Sequence, residues 1–140
     1  MPTKKGSAKW MGGLKDGKGR ISLESGAMSD QPYGFNTRFE DGAGTNPEEL
    51  IGGAHAACFS MALSNMLGQE DISATSIETT CAVTIEMQDA GPKITTAHLT
   101  TVISADADED KILEIAEKAK EGCPVSKVLN CDITMDAKVA

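Results

Sequence analysis

The sequence predicts an α+β fold. Three observations support this class: a long helix-like segment, two alternating strand-like segments that follow it as a hairpin, and a second helix-like segment after the hairpin. Helices that are separated from antiparallel hairpins are typical of α+β proteins and not of doubly wound α/β proteins. At 140 residues the chain fits a single domain, 1–140, or one half of an intertwined dimer.

The first 45 residues are predicted to form short strands joined by turns. Residues 7–12 and 19–25 are strand-like, and the turn signal KDGKG lies between them. Glycines and prolines recur from 26 to 45, around a short strand-like stretch at 35–39. Loops of this length often carry functional residues.

The clearest helix is predicted over residues 46–67. Asn46 can cap its N-terminus, and Pro47 suits the first helical position. Glu48 and Glu49 follow at once, where the helix dipole favours negative charge.

This helix is expected to be central and buried. Two adjacent interior glycines, Gly52 and Gly53, indicate that another backbone packs very close, and Gly68 is expected to close the helix. Residues at helical spacing are predicted to form one stripe: Leu50, Ala54, Cys58, Met61 and Asn65.

The second half of the chain is predicted to contain a hairpin, a helix and a last strand. Segments 75–87 and 94–104 alternate with a period of two and are rich in Thr, Ile and Val, so they pair across the turn at 88–93. A helix then begins at Asp106 or Asp108 and ends before Gly122. Residues 125–129 form a turn or short helix, and 130–139 form a strand.

Composition and charge exclude several classes of partner. The net charge of −8 argues against nucleic acid and against an anionic membrane surface, because phosphate binding needs a basic face. No apolar run approaches the roughly 20 residues that span a bilayer, and no apolar secretory segment follows the N-terminus. We therefore expect a cytoplasmic protein, in which cysteines are more often buried, metal-binding or redox-active than paired in structural disulfides.

Cys58 can be either a structural or a functional residue from its position alone. It lies well inside the predicted helix, where the dipole is too distant to activate it and burial raises the pKa of a thiol. A reactive thiolate would need a nearby cation. His55, one turn earlier, and Arg38, in the preceding loop, are the candidates.

Cys123 follows a predicted helix end, between Gly122 and Pro124, where exposure and mobility are expected. A loop cysteine that can move suits a resolving role in disulfide formation, although a cysteine without a role fits the same position. Cys81 and Cys131 fall on predicted strands and are interpreted as structural.

Other chemistries have weaker support. The cysteines and histidines are scattered singly, without the spacing of a zinc site, so we expect no metal. A Cys–His hydrolase built on Cys58 and His55 would have no evident oxyanion hole, and GAGTNPEE lacks the glycine and lysine pattern of a nucleotide-binding loop. His98 alternates along a strand and is interpreted as a surface residue.

Three segments together resemble the OsmC/Ohr family, the osmotically inducible and organic hydroperoxide resistance proteins. They are QPYGFNTRFE at 31–40, GTNPEELIGGAHAACFSMALS at 44–64 and EGCPVS at 121–126. The resemblance is closest to the OsmC branch and covers nearly the whole chain.

This resemblance implies an OsmC-like fold, with antiparallel sheets around a central helix, in a tightly intertwined homodimer. It also implies a peroxidase that reduces organic hydroperoxides, with Cys58 as the attacking thiolate and Cys123 as the resolving partner. The family's thiolate-holding arginine and glutamate correspond to Arg38 and Glu48. A lipoyl-type dithiol is the implied reductant, and no cofactor is expected.

The preferred substrate is expected to be an alkyl or fatty-acid hydroperoxide, because the site is predicted to be apolar and lined by Met61, Phe39 or Val125. The alternative function is a non-enzymatic stress protein that retains the fold and senses redox state or binds a small molecule. That alternative predicts a reversible disulfide without sustained turnover.

Overall fold

A computed structural model describes all residues, 1–140. It confirms the α+β class, with two sheets and interspersed helices. The elements are, in order, β1 (Gly6–Met11), β2 (Lys18–Leu23), β3 (Gln31–Tyr33), α1 (Phe35–Phe39), α2 (Pro47–Gln69), β4 (Ala74–Gln88), β5 (Gly91–Ala105), α3 (Glu109–Gly122), α4 (Pro124–Val128) and β6 (Asp132–Val139). The chain divides into two compact units, Met1–Leu50 and Ile51–Ala140.

The N-terminal unit contains a three-stranded antiparallel sheet in the order β1-β2-β3. The predicted strand-like stretch at 35–39 is wrong, because these residues form the short helix α1. The Thr37 side chain explains the difference: the Gly34 N–H donates to Thr37 Oγ1 at 2.9 Å, and this hydroxyl donates to the Gly34 carbonyl at 3.0 Å. A threonine that bonds to the backbone three residues earlier stabilises a helix start.

Helix α2 begins as predicted. Asn46 Oδ1 accepts a hydrogen bond from the Glu49 N–H at 2.8 Å, which satisfies one of the free donors of the first turn. The predicted end is wrong, because Gly68 lies inside the helix and Gln69 is its last residue. Beyond that end, the Ile72 N–H returns to the Leu67 carbonyl at 2.9 Å.

The buried face of α2 also differs from the predicted stripe. Met61, placed in that stripe, is 76% exposed, whereas Phe59 and Leu63 are fully buried. The observed buried residues follow another row of the same helix: Glu48, Gly52, His55, Phe59, Leu63 and Leu67. Because apolar residues lie on every side of α2, the hydrophobic periodicity did not predict which face is buried. The face with the largest apolar side chains packs against the core.

The C-terminal unit contains the predicted hairpin and the main core. Strands β4 and β5 pair antiparallel, and Gly91 after the turn has a φ of 115°. Strand β6 pairs parallel to β5, so this sheet is mixed, in contrast to the predicted antiparallel sheets. The helices between β5 and β6 return the chain across the sheet and make the parallel pairing possible.

Helix α3 packs on this sheet through Ile112, Ile115, Ala116 and Ala119. Its cap is Asp108, whose side chain accepts from the Lys111 N–H at 3.4 Å.

One expectation about membranes needs correction. Helix α2 is long and apolar enough to cross a bilayer by length and composition alone. The core helix of a soluble protein passes the same test, and Phe59, Leu63 and Leu67 of α2 belong to the hydrophobic core.

Candidate active site

Two of the four cysteines lie side by side in the C-terminal unit. Cys58 is half-buried on α2, and Cys123 lies at the junction of α3 and α4. Their thiol groups are close enough to interact, and both are free. These are the two residues whose pairing the family resemblance implies.

Cys123 was expected to be exposed and mobile, and this expectation is wrong. The residue is fully buried. Its backbone N–H donates to the Ala119 carbonyl at 3.0 Å, which caps the end of α3, and its Sγ accepts from the Ser126 N–H at 3.3 Å, which caps the start of α4. Proline at position 124 then begins α4, so one cysteine ends one helix and begins the next.

The surroundings of Cys58 act on its pKa in opposite directions. Burial raises the pKa of this thiol, a hydrogen bond from the Val125 backbone lowers it, and the neighbouring Cys123 raises it again. The rise agrees with the expectation from its position in the helix. A reactive Cys58 thiolate therefore requires a further positive group.

Arg38 and Glu48 form an ion pair within the N-terminal unit. Arg38 Nε donates to both Glu48 carboxylate oxygens, at 3.1 and 3.2 Å, and Nη2 donates to Oε1 at 2.7 Å. Glu48 is buried in the first turn of α2, whereas Arg38 is partly exposed on α1. The carboxylate therefore holds the guanidinium through two nitrogens and leaves Nη1 available.

Arg38 lines an apolar cavity of about 240 Å³ within the same unit. Phe39 also lines it, together with Trp10, Leu14, Tyr33, Phe35 and Pro47. The sequence predicted Phe39 in an apolar site around the reactive thiol, and Cys58 is not among the residues that line this cavity. Met61 and Val125, the other two residues predicted to line an apolar site, do not line this cavity, and Met61 projects from α2 and is largely exposed.

A buried hydrogen-bond chain that the sequence did not predict connects three residues to Cys123. Ser126 Oγ lies 3.1 Å from Cys123 Sγ and 2.7 Å from His55 Nε2, and the other ring nitrogen of His55 lies 3.4 Å from Cys81 Sγ. Burial lowers the pKa of His55, so the neutral imidazole is favoured and His55 is a poor candidate for the cation. The helical spacing of His55 with Phe59 and Leu63 was the sequence signal for its burial.

A comparison with protein-family models identifies the family. The model described as OsmC-like protein matches residues 40–138, most of the chain. The chain belongs to the OsmC family. This range includes Glu48, both neighbouring thiols and the buried chain to His55.

Individual relatives place the chain near the OsmC branch. It is 54% identical to Peroxiredoxin OsmC of Escherichia coli over 134 residues, which cover 95% of this chain and 94% of that protein. It is 32% identical to the organic hydroperoxide resistance protein OhrB of Bacillus subtilis over 86% of this chain and 89% of that one. The crystal structure of this OhrB superposes with a TM-score of 0.71 at 27% identity, covering 99% and 98% of the two chains.

The remaining candidates in this OsmC-family chain lie elsewhere. Burial raises the pKa of Cys131, which precedes β6. His98 lies 2.6 Å from Thr134 Oγ1 and 3.0 Å from Asp136 Oδ2, on the outer surface of the β5–β6 pair. No group of three or more His, Cys, Asp or Glu side chains is arranged to hold a metal ion.

Proposed function

We propose that this protein is a cysteine-based peroxidase that reduces organic hydroperoxides to alcohols. The adjacent thiols of Cys58 and Cys123 are the main support, because a peroxidase of this kind needs one thiol to attack and another to resolve. The relatives named peroxiredoxin and organic hydroperoxide resistance protein point to the same chemistry.

Cys58 is the proposed attacking thiolate. It lies at the half-buried position, whereas Cys123 is fully buried and bound at two helix ends, so a peroxide has easier access to Cys58. The Val125 backbone lowers the pKa of the Cys58 thiol and so favours the thiolate. We assign the remaining stabilisation to the Arg38 guanidinium, which Glu48 orients through its two-point pair.

The reaction then proceeds in three steps. The Cys58 thiolate attacks the distal peroxide oxygen, the O–O bond breaks, and the alkoxide leaves as an alcohol after taking a proton, so that Cys58 becomes a sulfenic acid. The Cys123 sulfur displaces the sulfenic oxygen as water and forms the Cys58–Cys123 disulfide. A dithiol, proposed to be of the lipoyl type, reduces this disulfide by exchange and is itself oxidised to a disulfide.

The apolar cavity beside Arg38 supports a hydrophobic substrate. It is lined by aromatic side chains such as Trp10 and Phe39, which favour the alkyl group of a hydroperoxide and give hydrogen peroxide no comparable contact. We therefore propose alkyl or fatty-acid hydroperoxides as substrates.

A second copy of this chain is the proposed partner. The exposed face of α2 carries small or apolar residues, which permit close helix packing: Gly53, Ala54, Ala57, Met61 and Ser64. The resemblance to the family implies an intertwined homodimer, and this face offers a surface for it. We also propose that the protein works in the cytosol, where dithiol reductants are maintained.

A coupled assay tests the function. The reduced protein is mixed with cumene hydroperoxide and dihydrolipoamide, and loss of the hydroperoxide is followed. Sustained turnover is expected for the wild-type protein and for Cys131→Ala, which removes a comparable half-buried thiol, but not for Cys58→Ser. A disulfide that forms once without further turnover would favour the redox sensor instead.

A further inference from the structure

His55 is a fully buried titratable residue that the proposed reaction does not yet use. Both of its ring nitrogens have partners, with Ser126 Oγ at 2.7 Å from Nε2 and Cys81 Sγ at 3.4 Å from Nδ1. Buried polar groups of this kind need satisfied hydrogen bonds, and a network that is satisfied holds its members in a fixed geometry. This network ends at the sulfur of Cys123.

The contact with Cys81 is compatible with the His55 tautomer that a relay needs. The Cys81 sulfur lies 3.4 Å from Nδ1 and, as a neutral thiol, can accept from an Nδ1–H donor. With the ring proton on Nδ1, Nε2 keeps its lone pair and accepts from the Ser126 hydroxyl. The Ser126 oxygen then accepts from the Cys123 thiol, so every donor along the chain points from Cys123 towards His55.

We propose that Ser126 and His55 form a proton relay for the resolving thiol. This inference rests on the proposed role of Cys123 and concerns only the second step of the reaction. Ser126, which touches the reacting sulfur, acts as the catalytic hydroxyl, and His55 acts through it. Cys81, which the sequence suggested to be structural, is a positioning residue that holds the His55 tautomer.

The relay accounts for the protons that move during disulfide formation. The Cys123 thiol gives its proton to Ser126 Oγ while the Ser126 proton moves to His55 Nε2, which leaves a thiolate. The thiolate attacks the Cys58 sulfur, the S–S bond forms and the S–O bond of the sulfenic acid breaks. The Ser126 hydroxyl then gives a proton to the departing hydroxide, which leaves as water, and the His55 proton returns to Ser126 Oγ.

The geometry around Cys123 suits this role. The Ser126 side chain and backbone both contact the same sulfur, at 3.1 and 3.3 Å, so a thiolate formed there keeps two hydrogen-bond donors. Cys123 is fully buried, and the relay supplies an acceptor for its proton within the protein.

Single-turnover kinetics test the relay. The reduced protein is mixed with one equivalent of cumene hydroperoxide, quenched at intervals, and assayed separately for Cys58 sulfenic acid and for the Cys58–Cys123 disulfide. Ser126→Ala should slow disulfide formation at pH 7 roughly 10- to 100-fold, within the range lost with a general base, so that sulfenic acid accumulates. Ser126→Thr, which retains a hydroxyl, should restore most of the rate, and Cys131→Ala should match the wild type.

The pH profile separates a relay from a packing effect. Without the relay, disulfide formation should depend on spontaneous ionisation, so its rate in Ser126→Ala should rise steeply with pH and approach the wild-type rate under alkaline conditions. His55→Gln, which has similar reach but cannot hold a proton at this pH, should show the same steep profile. A Ser126→Ala protein with the wild-type rate and profile would overturn the relay and leave the peroxidase proposal intact. A wild-type protein that forms no Cys58–Cys123 disulfide would overturn both.

Discussion

A β-carbon added at Gly52 would lie 2.7 Å from the backbone carbonyl oxygen of Cys81. Helix α2 therefore approaches strand β4 as closely as its backbone permits, at the same strand residue whose side chain contacts His55. This packing supports the prediction, made from the paired glycines, that another backbone lies against the helix. At Gly53 an added β-carbon has no neighbour within 4 Å, so only one glycine of the pair has this role.

Gly52→Ala should destabilise the protein, because the new methyl group meets a backbone oxygen that cannot rotate away. We expect a loss of roughly 1–3 kcal/mol in the free energy of unfolding, as for other overpacked sites. Urea denaturation measures it. Gly68→Ala is the matched control, because it lies in the same helix with open space around it and should gain up to about 1 kcal/mol from helix propensity. Equal stability of Gly52→Ala and Gly68→Ala would contradict the close approach.

The sequence predicted those elements that local chemistry determines. The Asn46 cap, the β4–β5 hairpin and a helix start at Asp106 or Asp108 each depend on side chains near the element itself, and the structure has all three, with Asp108 as the cap. The helix α1 was missed because its start depends on one threonine hydroxyl, and because five residues between turns in a glycine-rich segment are too few to show a helical period.

Features that depend on tertiary packing were harder to predict. Helix α2 is apolar on all sides, so which row of residues faces the core is decided by the sheet beneath it. Cys123 is buried where it caps both the end of α3 and the start of α4. In the sequence alone, the Gly-Cys-Pro pattern is typical of a loop. The contact between His55 and Ser126 joins residues 71 positions apart, and no local pattern encodes it.

Arg38→Ala should raise the pKa of the Cys58 thiol further, because it removes the positive charge proposed to stabilise the thiolate, whereas burial still disfavours it. The rate of alkylation by iodoacetamide across pH 5–10 reports this pKa. Arg20→Ala is the control, since Arg20 lies in the same unit and binds only the Asp30 carbonyl. An unchanged alkylation profile in Arg38→Ala would remove Arg38 from the thiolate site.

Phe39→Ala should weaken the use of bulky substrates, because Phe39 forms part of the wall of the apolar cavity. We expect kcat/KM for cumene hydroperoxide to fall roughly 10-fold, in line with the burial energy of part of an aromatic ring, and kcat/KM for hydrogen peroxide to change little. Steady-state assays with both peroxides measure the ratio. Met87→Ala, which removes an exposed apolar side chain near the end of β4, should leave the ratio of the two kcat/KM values unchanged. An equal loss for both peroxides would argue against this cavity as the substrate pocket.

Folding stability should fall under mildly acidic conditions because of His55. Burial lowers its pKa below 6.5, the value expected in the unfolded chain, so at lower pH the unfolded state binds more protons than the folded state. The contribution of the neutral imidazole is fully present above pH 6.5 and is lost as the pH falls towards the folded pKa. Urea midpoints between pH 7.5 and 5 should drop less in His55→Gln than in the wild type, with His98→Gln as the control histidine. The same drop in His55→Gln would assign the acid sensitivity to other groups.

Disulfide mapping after one equivalent of cumene hydroperoxide tests whether Cys58 and Cys123 are the peroxidase pair. Cleavage after glutamate separates the peptide of Cys58 from that of Cys81, and added trypsin separates Cys123 from Cys131 by cutting after Lys127. We expect a single new linkage, Cys58–Cys123, which dihydrolipoamide removes. A linkage through Cys81 or Cys131 in its place, or oxidation of Cys58 with no bond to Cys123, would contradict it.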